Sequence, residues 1–375
     1  MPKNIVICCD GTGNKFSDQN TNVVKLYYAL DMSNPGQQIG YYHAGLGTIG
    51  APGALSKAAQ ERSKIFGLAF GSGIGRDIGD AYAFLMDMFE PGDRLFLFGF
   101  SRGAFTVRAL AGMLHMFGLL RPGNLNLIRY AVQMLTRKQD GDTFDVASQF
   151  RGTFSIDCPV YFTGVWDTVS SVGWIWDPLH VPYTARNSSL AIGRHAVSID
   201  ERRCFFRQNL WGAPCAGQDL RTVWFAGVHS DVGGGYPEAQ SGLSKITLEW
   251  MMCEAGNAGL LFQPERAAAV LGMRGAPFVA PDAGAMLHNS LRFPWILLEP
   301  LPHLYWDMTC EPPRERVRLP LGAPRRIPND AILHESVARR IALGIGYRPP
   351  NLPARPGMEP WRRLTAVLAG GGDAS

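Results

Sequence analysis

The chain has 375 residues and a formal net charge of +4, and 46% of its residues are hydrophobic. This composition predicts a folded domain with a large core and argues against a disordered chain. The slight positive charge is spread along the sequence, apart from an arginine-rich stretch at residues 314–326. The sequence therefore predicts no nucleic-acid partner.

Short apolar segments alternate with helical patterns through the first part of the chain. Ile5–Cys9 is a continuous apolar run, and Arg94–Phe100 is apolar after its first residue; both are typical of strands buried on both faces. Apolar residues recur with helical spacing in Asn22–Leu30 and Ile74–Phe89, and a further helix is predicted over Ala104–Leu119. This alternation predicts an α/β fold with a mostly parallel, doubly wound sheet that carries helical and loop insertions.

The alternation of strand and helix patterns is lost in the last third, where proline and arginine become frequent. We expect residues 1–345 to form one catalytic domain, with a loop-rich cap or appendage at about 264–330. Residues 346–375 are expected to form a tail rich in proline and glycine.

The apolar segments of the chain also bear on contact with a membrane. The first residues lack the apolar core of a signal peptide, and no apolar stretch is long enough to span a bilayer. The sequence therefore predicts a protein made in the cytoplasm and leaves export without a cleaved signal open. Trp174–Trp176 with Pro178, and Phe293–Leu297, are either core anchors or exposed segments that transiently contact an acyl chain or membrane surface.

The segment Gly99–Gly103 has the pattern Gly-x-Ser-x-Gly between a predicted strand and a predicted helix. This context is the one a nucleophile elbow requires, because a tight strand-to-helix turn holds the serine hydroxyl above the sheet edge. The alternative is that Ser101 only caps the helix. The strand and both glycines favour Ser101 as the nucleophile of an α/β-hydrolase, whose mechanism needs no cofactor and no metal.

A serine nucleophile needs a histidine to remove its proton and a carboxylate to orient that histidine. In α/β-hydrolases these residues follow the serine in the order acid, then histidine, just past the ends of later strands. Asp167 after Val160–Val165 and His229 after Val223–Val228 meet this requirement. The alternatives that stay open are Asp231 and Asp200 for the acid, and His334 and His288 for the base.

Backbone amides are expected to hold the oxyanion. Arg102 opens the helix after the serine, and its amide is one candidate donor. The glycine-containing loop after the first strand offers Gly11 or Thr12 as the second donor, although the same loop is also compatible with an ordinary tight turn. A metal-dependent phosphoesterase built on Asp10 and Asp231 is a further interpretation of these residues.

Seven segments together carry a resemblance: Cys9–Asn14, Gly99–Phe105, Gly164–Val169, Val228–Tyr236, Asn22–Leu26, Ile199–Arg203 and His334–Val337. They resemble an uncharacterised α/β-hydrolase domain family that includes the catalytic domain of class-one type VI secretion phospholipase effectors. The resemblance spans approximately residues 3 to 345. It implies an α/β-hydrolase fold, a Ser-Asp-His mechanism that starts at Ser101, and a glycerophospholipid or another ester as the substrate.

The sequence thus predicts a serine esterase that cleaves carboxylic esters, including the acyl ester of phospholipids, through an acyl-enzyme. Two other classes remain as alternatives. One is a non-catalytic interaction module on the same fold, and the other is the metal-dependent phosphoesterase.

Overall fold

One eight-stranded sheet organises the part of the chain that the computed structural model describes, namely residues 2–11, 19–45, 73–137, 141–169, 173–174, 177–178, 181–275, 277–293, 295–307 and 314–365. Its strands are β1 (Asn4–Cys9), β2 (Gln38–His43), β3 (Arg94–Phe100), β6 (Val160–Trp166), β9 (Leu190–Ser198), β10 (Asp219–Phe225), β13 (Ile332–His334) and β14 (Gly357–Glu359). They lie in the order β14-β13-β10-β9-β6-β3-β1-β2.

Every neighbouring pair of strands in this sheet is parallel. The carboxyl ends of the strands therefore meet at one edge, which is where ligands bind in open parallel sheets. The predicted mostly parallel, doubly wound α/β fold is confirmed. Three two-stranded sheets accompany the main one: β4 (Leu119–Leu120) with β5 (Ser155–Ile156), β7 (Gly173–Trp174) with β8 (Asp177–Pro178), and β11 (His303–Asp307) with β12 (Arg314–Arg318).

Helices cover both faces of the sheet. The described helices are α1 (Asn22–Ala29), α2 (Ile74–Met88), α3 (Arg102–Phe117), α4 (Ile128–Thr136), α5 (Gly141–Phe154), α6 (His229–Gly233), α7 (Gly242–Asn257), α8 (Pro264–Val270) and α9 (Glu335–Ala342), with short 3-10 turns at Leu125–Leu127, Glu238–Gln240 and Trp295–Leu298. None of these helices combines the length and the apolar character needed to cross a bilayer.

The two layers of helices explain why β1 is apolar at every position after Asn4. Ile5 and Ile7 belong to a core cluster that includes residues of α2 and α3. Val6 and Cys8 point to the opposite face and join a cluster that includes residues of α1 and α7. Alternate side chains of a strand point to opposite faces, so both sets must be apolar when both faces are covered.

The C-terminal residues pack against the same sheet. Gly357–Glu359 adds the edge strand β14 beside β13, and the side chain of Leu364 is fully buried. The Tyr347 hydroxyl also donates to Oδ2 of Asp200 at 2.8 Å. Residues 346–365, whose composition predicted a tail, thus pack on the folded domain. Packing continues across the predicted boundary at residue 345.

Candidate active site

Ser101 lies at the turn between β3 and α3, where its backbone has φ +58° and ψ −119°. A positive φ is unfavourable for a residue with a side chain, and such conformations concentrate at functional sites. The Ser101 amide donates to the Trp166 carbonyl oxygen at 3.1 Å, whereas its hydroxyl makes no capping hydrogen bond with α3. The turn is therefore fixed through the backbone, and the hydroxyl is not used as a helix cap.

Two glycines permit this turn because backbone segments approach each other closely. A Cβ atom at Gly99 would lie 2.5 Å from the Gly103 carbonyl oxygen. A Cβ atom at Gly103 would clash with the carbonyl oxygens of Cys9 and Asp10. Both glycines of the Gly-x-Ser-x-Gly pattern are thus required by the crossing of α3 over β3 and β1.

Asp167 and His229 form a buried pair at the same edge of the sheet. Asp167 follows β6 directly with φ +38°, and His229 is the first residue of α6. Nδ1 of His229 lies 2.6 Å from Oδ2 of Asp167. A carboxylate in this position holds a proton on Nδ1, so Nε2 is left as the basic nitrogen of the neutral ring.

Aromatic rings hold the imidazole of His229 next to the turn that carries Ser101. The rings of Phe100 and Phe206 lie 4.5 Å and 4.7 Å from it, measured between centroids. A Cβ atom at Gly233 would clash with Phe100, so α6 packs directly on the residue that precedes Ser101. Burial lowers the pKa of His229 below its ordinary value, against the raising effect of the Asp167 carboxylate.

Arg325 neutralises the charge of Asp167. Its Nη1 lies 2.6 Å from Oδ1 of Asp167 and its Nη2 lies 3.1 Å from Oδ2, which is a bidentate contact. The Ser198 amide and hydroxyl also donate to Oδ1, at 2.9 Å and 3.1 Å. Burial alone would raise the pKa of Asp167, but the Arg325 guanidinium and the hydrogen bond from His229 hold it well below its ordinary value.

Glu201 fixes the backbone of His229. Its Oε2 accepts from the His229 amide at 3.2 Å, and both carboxylate oxygens accept from the Arg203 guanidinium at 2.9 Å. The Ser290 hydroxyl donates to the same carboxylate. Burial would raise the pKa of Glu201, but its contacts with Arg203 lower the value to about 2. Glu201 is therefore a carboxylate at neutral pH, and it ties residue 290 to the start of α6.

The alternative acids and bases make other contacts. Asp231 accepts from Nδ1 of His288 at 2.6 Å, and Nε2 of His288 contacts Gln240 at 3.0 Å. Asp200 accepts from the Gly227 amide at 2.7 Å. His334 is fully buried and caps α9 through Ser336, and burial lowers its pKa to about 3. None of these residues contacts the Asp167–His229 pair through a hydrogen bond in the described part of the chain.

The loop after β1 is described only as far as Gly11; Thr12 lies outside the described residues. The Gly11 amide donates to Oδ1 of Asp10 at 2.6 Å, so in this conformation it is directed at that carboxylate. Oδ2 of Asp10 accepts from the hydroxyls of Thr21 and Tyr42 at 2.7 Å and 2.9 Å. The Asp10 carboxylate thus stabilises the loop, as an ordinary tight turn would require.

Neither Asp10 nor Asp231 belongs to a group of three or more potential metal ligands among the described residues. Of the two aromatic segments singled out in the sequence, Ile175 and Trp176 lie outside the described residues, whereas Phe293 and Trp295 lie within them.

Sequence patterns missed two residues of this site. Arg325 belongs to the arginine-rich stretch, where nothing local distinguishes it from Arg326. Glu201 lies in one of the segments that carry the resemblance, but its spacing gives no role. Their contacts arise only when distant segments meet, and the one available signal was the cluster of charged residues at 200–203 directly after a strand.

The sequence is similar to several known proteins. Residues 3–254 match the family described as T6SS, phospholipase effector Tle1-like, catalytic domain. The uncharacterized protein YEL023C of Saccharomyces cerevisiae is 39% identical over 220 residues, which are 55% of this chain and 32% of that protein. The chain therefore spans about a third of the length of this relative.

Two solved structures are also similar. One is an uncharacterized protein from Pseudomonas aeruginosa, with 22% identity and a TM-score of 0.42 over 74% of this chain and 49% of that one. The other is a Tle1 effector bound to the VgrG spike of the type VI secretion system, with 19% identity and a TM-score of 0.38 over 64% and 52% of the two chains. The family match covers more than half of the sequence, so the predicted resemblance is confirmed: this chain belongs to the Tle1-like family of T6SS phospholipase effector catalytic domains.

Proposed function

We propose that this chain is a serine hydrolase that cleaves carboxylic esters, with phospholipid acyl esters as its substrate class. The observation that carries the proposal is a serine with a strained backbone at a strand-to-helix turn, beside a buried Asp167–His229 pair. The family supports a hydrolase of the phospholipase or esterase type. The sequence order of Ser101, Asp167 and His229 is the order of α/β-hydrolase triads.

In this mechanism the Ser101 oxygen attacks the ester carbonyl carbon, and its proton passes to Nε2 of His229. The tetrahedral intermediate collapses when that proton moves to the leaving alkoxide, which leaves an acyl group on Ser101. A water molecule then repeats both steps, releasing the acid and restoring the serine. The proposal adds one contact to the geometry, a hydrogen bond between Ser101 and Nε2 of His229, which in such enzymes often tightens only when substrate is bound.

The oxyanion is assigned to amides at the start of α3. The Arg102 amide belongs to the first residue of this helix, where the helix dipole favours negative charge. Gly11 remains a predicted second donor; its amide would have to leave the Asp10 carboxylate to serve this role. Thr12 stays a prediction from the sequence.

Arg325 is a positioning residue in this proposal. It contacts Asp167 and not the substrate, and it keeps the acid ionised and in one orientation. Asp167 in turn orients His229 and stabilises the imidazolium that forms during each proton transfer.

A fluorophosphonate probe tests the assignment, because it reacts covalently with an activated serine. We expect labelling of the native protein at Ser101 and hydrolysis of short esters and mixed phospholipids. Ser101→Ala should abolish labelling and lower kcat by about 10⁴-fold or more. Ser188→Ala removes an exposed serine and serves as the control that should behave like the native protein.

The outcomes separate the alternatives. A folded native protein that takes no label and hydrolyses no ester would favour the non-catalytic module. Activity that survives Ser101→Ala and disappears with a chelator would favour the metal-dependent phosphoesterase.

A further inference from the structure

Large apolar side chains are unusually exposed between residues 293 and 321. Phe293, Leu321, Val317 and Leu297 are exposed by 62 to 77% and are the four most exposed large hydrophobic side chains in the described ranges. Ile296 and Leu319 are exposed by more than half. We call these six residues the apolar patch. Clustered exposure of this kind marks an interaction surface, whereas single exposed apolar residues are ordinary.

Hydrogen bonds join the two halves of the apolar patch. The Leu321 amide donates to the Glu299 carbonyl oxygen at 3.2 Å, and the Gly322 amide donates to Oε2 of Glu299 at 2.9 Å. Glu299 follows directly after the 3-10 turn Trp295–Leu298, which carries Ile296 and Leu297. Leu321 is therefore held beside that turn, and Leu319 and Val317 precede it in the chain by two and four residues.

The apolar patch is built on the segments that hold the candidate triad. On the inner side of the turn, the Trp295 ring lies 5.4 Å from that of Phe206, which contacts His229. Ser290, three residues before Phe293, binds the carboxylate that holds the His229 amide. Arg325, four residues after Leu321, binds Asp167. A surface that docks through this patch would therefore lie next to the catalytic residues.

Among the side chains that the structure describes, the exposed charges that flank the apolar patch are positive. Arg292 precedes Phe293 and is exposed, as is Arg326. Arg202 is also exposed and donates from Nε to the Gly322 carbonyl oxygen at 2.6 Å. The carboxylates of Glu201 and Glu299, in contrast, are buried and hydrogen-bonded within the protein.

We propose that the apolar patch docks on a lipid bilayer that contains anionic phospholipids. Its apolar side chains would enter the boundary between headgroups and acyl chains, and the flanking arginines would contact headgroup phosphates. This inference rests on the proposed function, because a lipid ester is a substrate that is presented at such a surface. It assigns the patch to the bilayer rather than to a second copy of the chain.

The test is vesicle sedimentation of the Ser101→Ala protein, which leaves the lipid intact. Vesicles of phosphatidylcholine alone are compared with vesicles that also contain phosphatidylglycerol. We expect tighter binding to the anionic vesicles, weakened by added salt. The double variant Phe293→Asp/Leu297→Asp should raise the dissociation constant about tenfold or more, because each change removes an inserted apolar group and adds a negative charge. Leu125→Asp, at an exposed leucine of another surface, is the matched control.

The same substitutions are made with Ser101 intact, and turnover of a short soluble ester and the thermal midpoint are measured. Both should stay close to the native values, since the substituted side chains are exposed. The inference is overturned if neither vesicle binds, if the double variant binds as well as its parent, or if Leu125→Asp weakens binding equally. It is also overturned if the native chain is a dimer that the double variant dissociates. Vesicle binding without ester turnover would refute the proposed function alone.

Discussion

The short helix α6 contributes one residue to each of two carboxylate–imidazole pairs, which have the same separation of 2.6 Å between Nδ1 and the carboxylate. In one, Asp167 binds His229; in the other, Asp231 binds His288. Their surroundings differ in two ways. Asp167 is neutralised by Arg325, whereas burial raises the pKa of Asp231 despite its hydrogen bonds from His288.

The two pairs also differ in the contacts of the second ring nitrogen, Nε2. Nε2 of His288 is engaged by Gln240 at 3.0 Å, and the ring stacks on Tyr236 with centroids 3.6 Å apart. For His229, aromatic rings hold the imidazole, and Nδ1 is the nitrogen bound by protein. A short Asp–His contact therefore does not by itself identify a triad. The features that distinguish a candidate general base from a structural histidine are the counter-ion of its acid and the hydrogen bonding of its Nε2.

The largest expected difference between the two pairs is in kcat when each aspartate is replaced by asparagine, its isosteric amide. Asp167→Asn keeps the shape but no longer fixes the proton on Nδ1, so we expect kcat for a short ester to fall by about 10⁴-fold. Asp231→Asn should leave kcat close to the native value. Equal losses in the two variants would erase the distinction between the pairs.

Substitution of Arg325 tests its role as the counter-ion of Asp167. Arg325→Lys keeps a positive charge and loses the bidentate geometry, so kcat/KM should fall on the order of tenfold with little change in its pH profile. Arg325→Ala should lower kcat/KM further and raise the apparent pKa of the Asp167–His229 pair, since removal of a nearby cation favours proton binding.

Arg326→Ala, at the exposed neighbouring position, is the control for both substitutions and should leave the rate and the pH profile for a short soluble ester unchanged. Urea unfolding of each variant separates a loss of folding from a loss of function. An Arg325→Ala protein that folds and keeps the native pH profile would contradict the role of Arg325.

His288→Ala should affect stability more than turnover. The substitution leaves the Asp231 carboxylate buried without its imidazole partner, so we expect the free energy of unfolding to fall by about 1–3 kcal/mol. Turnover of a soluble ester should remain near native at temperatures where the variant is folded. A loss of kcat that matches that of His229→Ala would instead make His288 part of the catalytic machinery.

The smallest predicted effect is in the pH profile of the native protein. His229 must be neutral to accept a proton, so kcat/KM should fall as the pH drops through its pKa. Burial lowers that pKa, Asp167 and Glu201 raise it, and Arg203 lowers it, with a net decrease. The acidic limb should therefore lie below about pH 6.5, the ordinary value for histidine. A limb above that value would contradict the burial of a neutral imidazole.

Sequence patterns predicted the features that a few consecutive residues determine. Leu95–Phe100 is apolar because both faces of β3 are covered, and the glycines around Ser101 are dictated by a turn of five residues. Strand ends also led to Asp167 and His229, which the structure places 2.6 Å apart.

Contacts between distant segments could not be predicted in this way. Arg325 meets Asp167 across 158 positions, from a loop without periodicity. The pairing of His288 with Asp231 also depends on a loop. The three residues of β14 are too few for a strand pattern, and the prolines around them obscure their place at the sheet edge.

The position of Arg325 in the chain has a consequence for synthesis. A nascent polypeptide presents Ser101, Asp167 and His229 well before the ribosome reaches residue 325. Until then, burial of the Asp167 carboxylate would leave a charge without its cation, which is costly, so we expect that carboxylate to stay hydrated. Translation order would thus delay burial of the Asp167–His229 pair until the segment that carries Arg325 has emerged.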